Sequence, residues 1–183
     1  MLTVFCLLAT MHASALEPSV HAWLRAESHL AHADLDAAAA ALSDASKGPA
    51  APLAALQGAM LGWAALDGSP EADDAFVAAV QQLPGISYDE LWALAAAEPL
   101  LQGGFSRMVV DESIMASTLA SLTQQAACLL EARGDTAQAQ VLRERIRVTW
   151  PDSVDGRYLW RQHLEQQGDQ DRAHGYAEAA GEQ

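Results

Sequence analysis

The chain has 183 residues, with 10 Lys and Arg against 24 Asp and Glu, a net charge of −14, and 51% apolar against 19% charged residues. This is a globular composition, which argues against wholesale disorder, and its acidity argues against a general nucleic-acid binder, which needs excess Lys and Arg to displace counterions. Its 39 alanines outweigh 18 β-branched residues, a balance that favours helices and leaves a sheet little to pack with, so an all-β or doubly wound fold is not expected.

Residues 2–10 (LTVFCLLAT) form one apolar run, followed by Ala13-Ser14-Ala15, the small-x-small pattern that a signal peptidase accepts. No Lys or Arg precedes the run, yet the segment reads as a signal peptide over 1–15, leaving a domain over 16–183 exported to the periplasm or secreted. At about half of the roughly 20 apolar residues that cross a bilayer, the run predicts no stable membrane span. Cleavage would remove Cys6 and leave Cys128 alone, without a disulfide partner. Cys128 sits in QQAACLL with no Lys, Arg or His within a turn, and is read as a buried, inert thiol.

Downstream the pattern is helical and repetitive. Ala26, His29, Ala33-Asp34, Ala38, Leu42 and Ala45 mark a first helical hairpin. Trp63, Ala72, Phe76, Ala79 and Pro84 mark a second, in the pattern aromatic, x8, A-x3-F-x2-A-x4-P. Residues 88–97 (YDELWALAAA) give one further helix, which Pro99 and Gly103-Gly104 interrupt. Residues 113–133 then read as one long helix. The segments 127–135 and 161–169 align without gaps, and their Gly-Asp pairs, Gly134-Asp135 and Gly168-Asp169, are 34 residues apart. Ala139 and Ala173 share that spacing, each five residues after its glycine. A helix that ends at a left-handed Gly, turns through a capping Asp and restarts with an inward Ala describes a hairpin.

The 34-residue period, the A-x3-F signature and the closing Pro84 and Pro151 resemble the tetratricopeptide repeat family. The resemblance implies an all-α fold, an α-solenoid of antiparallel helical hairpins at about 19–52, 53–86, a degenerate 87–119, 120–153 and 154–183. It departs from the family pattern at Arg143, which stands where the motif has Phe. A buried unpaired guanidinium is costly, so either that helix is rotated or Arg143 meets Glu144 or Glu131.

Nothing in the sequence has the form of a catalytic centre. P-loop, G-x-G-x-x-G and H-E-x-x-H motifs are missing, and the surroundings of Ser106 lack the second glycine of a nucleophile elbow. His29, His32 and Asp34 are the one metal-like grouping, but Asp34 falls in a hairpin turn and two helical histidines are not a ligand set. Asp73-Asp74, Asp89-Glu90 and Asp111-Glu112 point apart on a helix and read as solvated surface. Arg133, Arg143, Arg145 and Arg147, interleaved with Glu131 and Glu144, read as pairing within their helices. The expectation is a non-enzymatic chain with no cofactor and no metal.

The resemblance implies a binding scaffold whose concave face is lined by the first helix of each hairpin and receives a protein or peptide. Carried onto this sequence, the groove positions are Trp23, Glu27, Leu30, Gln57, Leu61, Gln124, Cys128, Glu131, Tyr158, Gln162 and Glu165. The set holds carboxylates and glutamines but no Lys, Arg or Asn, which points away from capture of a C-terminal carboxylate and toward a neutral or basic segment. The alternative is a structural or regulatory subunit packed permanently on a larger complex through the apolar residues of 98–112 and the tryptophans.

Overall fold

The computed structural model describes residues 17–83, 88–97 and 112–179. Within them the protein is all-α, without a strand. The helices are α1 (Pro18–Ala31), α2 (Leu35–Ala45), α3 (Ala51–Ala64), α4 (Pro70–Gln81), α5 (Tyr88–Ala97), α6 (Glu112–Ala132), α7 (Thr136–Thr149), α8 (Val154–Gln166) and α9 (Gln170–Ala179). The expected signal segment, Pro84 and the interruption at Pro99 and Gly103-Gly104 lie outside the described residues.

Local chemistry sets the helix ends. α6 stops at Gly134, whose φ of 85° lets the Gly134 and Asp135 N–H groups fold back onto the Glu131 and Leu130 carbonyls at 2.9 Å each. The Asp135 side chain then caps α7 by accepting from the Gln138 N–H at 3.2 Å. The same pattern closes α8, with Gly168 at φ 78°, Asp169 N–H to the Leu164 carbonyl at 2.9 Å, and the Asp169 carboxylate accepting from Arg172 N–H at 3.3 Å. It also closes α1, where Ala33 takes the glycine's place at φ 57° and Asp34 N–H reaches the His29 carbonyl at 3.0 Å. Between α3 and α4 the left-handed residue is Gly68 at φ 83°, and Ser69 is the cap, accepting from Ala72 N–H at 3.2 Å.

Packing follows chain order. α1 lies along α2, α6 along α7, and α8 along α9, and these are the most extensive contacts among the described elements. α2 touches α3, α3 touches α4, and α7 touches α8, while α1 also meets α3 and α6 also meets α8. α4 packs directly on α6, and α3 reaches α6 as well, so the first four helices continue into the last four across this seam. One cluster of buried residues runs from Val20 to Leu159, and its largest members include Trp23, Leu53, Leu56, Phe76, Leu119 and Ile146.

Ala38, Ala139 and Ala173 are buried at the start of α2, α7 and α9, each five residues past the left-handed turn residue. A small side chain there lets the two helices of a hairpin approach closely. Ala139→Leu is therefore expected to lower stability by about 1–3 kcal/mol through overpacking, read as a shift in the urea midpoint.

Candidate protein-binding surface

The expected groove residues do not share one environment. Trp23 is fully buried, because Val20 and Ala26, one turn to either side, belong to the same stripe that α1 sinks into the core. It is a core residue and not a surface anchor. Gln57 is also buried and donates its Nε2 to the Glu27 carboxylate, a bond that ties α3 to α1. Leu30 and Leu61 are half-buried, and Leu61 packs against the core. Cys128 is exposed, contrary to the buried thiol expected, because α6 buries Ala126, Ala127 and Leu130 instead.

On α8, Tyr158 is exposed and accepts from Gln162 Nε2 at 2.7 Å, with the Arg161 guanidinium 5.7 Å from its ring centre. Glu165 pairs with Arg161 at 3.3 Å. Glu131 receives Arg143 in a two-pronged contact, at 3.2 Å and 2.6 Å, which answers the problem of a guanidinium at the motif's Phe position. The carboxylates of the expected groove are thus already engaged, Glu131 and Glu165 by arginines and Glu27 by Gln57.

Three arginines of the expected cluster, Arg133, Arg143 and Arg145, reach other elements. Arg147 pairs within its own helix, with Glu144, as Arg161 does with Glu165. Arg133 reaches back to α4, where Asp73 lies at 3.0 Å, Asp74 is in direct contact and the Pro70 carbonyl is 3.1 Å away. Arg145 donates to the Leu83 carbonyl beyond the end of α4 and lies 5.6 Å from the Trp150 ring centre. Asp73 and Asp74 are therefore an anchor between hairpins, which adjacent carboxylates in the sequence do not reveal.

Arg143 holds the Glu131 carboxyl below its ordinary value of 4.5. A depressed folded-state pKa contributes stability above the unfolded value, and that contribution is lost as pH falls through the folded one. The stability difference between the wild type and Glu131→Gln is expected to be constant above about pH 6 and to shrink below about pH 4.5, read from melting temperatures across that range.

Among the described residues a groove of about 600 Å³ lies between α3, α6 and α8. Met60 and Trp63 line it from α3, Ile114, Leu122 and Gln124 from α6, and Asp155 from α8, with serine and threonine hydroxyls between them. Trp63 is 55% and Ile114 42% exposed. Ser121 Oγ donates to Asp155 at 2.8 Å and so joins the α6 and α8 walls. Of the expected positions only Gln124 lines this groove. Its Oε1 is buried without a hydrogen-bond donor among the described residues.

Comparison with family models, curated proteins and solved structures gave no match. The surface therefore speaks through its own chemistry. His29 Nδ1 lies 3.7 Å from Asp34, while His32 Nδ1 meets the Ser28 carbonyl of its own helix at 2.7 Å, so the two rings serve different partners. No three metal-ligating side chains converge among the described residues.

The groove positions expected from the sequence omit Trp63, which follows Leu56 by seven positions and so lies on the same helix face. Leu56 is buried and Trp63 is not, since Trp63 falls in the last turn of α3, beside the groove. Periodicity assigns a face, not the point along a helix where the neighbours stop covering it.

Proposed function

We propose that this chain is a non-enzymatic protein-interaction scaffold, an α-solenoid of tetratricopeptide-like hairpins that acts in the cell envelope after export. A neutral or basic protein segment binds the face formed by the first helices of the hairpins, α1, α3, α6 and α8. The hydrogen-bond pattern shared by the turns at Ala33, Gly134 and Gly168 supports the repeat reading, as do helix contacts that follow chain order. The observation that carries the functional reading is the apolar groove, where a large tryptophan and an isoleucine stand in water on facing helices.

A second reading, a subunit held permanently in a larger complex, is favoured by Val141 and Val148, which are exposed seven residues apart on one face of α7. Photocrosslinking amino acids placed singly at Leu30, Tyr158, Val141 and Val148 in the native host separate the two. Crosslinks from Leu30 and Tyr158 that fail to form when excess unmodified chain is added before irradiation support the scaffold. Crosslinks confined to Val141 and Val148 overturn it in favour of the permanent subunit. Export predicts an intact mass that begins at Leu16, and a native chain that retains residues 1–15 contradicts it.

A further inference from the structure

We propose that the groove between α3, α6 and α8 is a docking site for a peptide segment that pairs a large apolar side chain with a lysine or arginine. The proposal rests on the scaffold reading and specifies where on the first-helix face the partner sits and what chemistry it carries. Trp63 on α3 and Ile114 on α6 are exposed, and half-buried Met60 and buried Leu122 line the groove with them. A volume of about 600 Å³ lies within the range of pockets that hold a small ligand. An apolar side chain seated there covers both exposed residues, and removing apolar surface from water is favourable.

The second requirement comes from Asp155. It is the one charged residue among those described as lining the groove, and the hydroxyl of Ser121, not a cation, meets it at 2.8 Å. When an apolar group fills the groove this carboxylate loses solvent, and a desolvated charge is costly unless an opposite charge arrives with the ligand. The buried, donorless Oε1 of Gln124 adds an acceptor for an N–H of the same segment. A second copy of this chain fits poorly, since each copy carries −14 and like potentials suppress encounter.

The test pans a random dodecapeptide display library on the full chain, then measures fluorescein-labelled enriched peptides by anisotropy. Enriched sequences are expected to place a large apolar residue close to Lys or Arg. Trp63→Ser and Ile114→Asp should each weaken binding at least about ten-fold, as loss of an interface anchor does. Asp155→Asn should weaken it about three- to ten-fold at low salt, the difference vanishing near 0.5 M salt, where charges are screened. The exposure of Trp63 and Ile114 makes their replacement compatible with folding, checked by an unchanged melting temperature.

Enriched peptides without a basic residue overturn the proposal, as does full affinity for both Trp63→Ser and Ile114→Asp. Peptides that bind Trp63→Ser normally but lose affinity for Tyr158→Ser overturn the groove assignment and leave the scaffold standing. Absence of any enriched peptide also overturns the assignment, while the photocrosslinks from Leu30 and Tyr158 judge the scaffold separately. A dimer in sedimentation velocity that Trp63→Ser abolishes makes a second copy the occupant and overturns the basic-segment proposal.

Discussion

Phe76→Ala is expected to destabilise the protein by about 3–5 kcal/mol, the cost of emptying a well-packed aromatic site. Phe76 is wholly buried on α4, and its ring packs so closely on α3 that a methyl group added at Gly62 would lie 3.5 Å from it. α4 touches both α3 and α6, so the cavity opens at the seam through which the first four helices meet the last four. Urea unfolding followed by circular dichroism should show the lower midpoint. A shallower slope is expected as well, because weakening the seam lets the two sides unfold over different ranges. A loss below about 1 kcal/mol would mean that the seam does not hold the two sides together.

Two glycine-to-alanine replacements are expected to have opposite signs. In an open helix position this change gains about 1 kcal/mol of helix propensity. Gly58, within α3, has nothing within 4 Å of an added Cβ, and Gly58→Ala should show that gain. Gly156, in the first turn of α8, would place its Cβ 2.0 Å from the Trp150 carbonyl oxygen and 3.0 Å from Pro151 Cα, both backbone atoms that cannot rotate away. The Gly156 N–H also donates to Ser153 Oγ at 3.0 Å, and Ser153 Oγ donates to the Trp150 carbonyl at 2.7 Å, so the strain falls on the cap itself. Gly156→Ala is expected to cost about 2–4 kcal/mol from overpacking and loss of the cap. Thermal melts of the two variants side by side decide the matter, and a stabilised Gly156→Ala would refute the close approach.

The sequence by itself determined the helical class and the turns. The Gly-Asp pairs at 134–135 and 168–169 do their work within six residues, through a left-handed backbone and a side chain that caps its own helix, so no distant neighbour is needed. The long helix over 112–132 is equally local, a run of 21 residues without Gly or Pro and rich in Ala, Leu, Gln and Glu. Only the tertiary structure decided the surface. Trp23 and Trp63 both occupy apolar helix faces, yet one is buried and the other open, because burial depends on which neighbour arrives at which turn. The same holds for Asp73 and Asp74, a solvated pair by local rules that becomes an anchor because Arg133, just past the end of α6 and 59 residues from Asp74, reaches both. Local propensity acts over a turn of helix, whereas the groove is assembled from three helices, and its chemistry exists only where they meet.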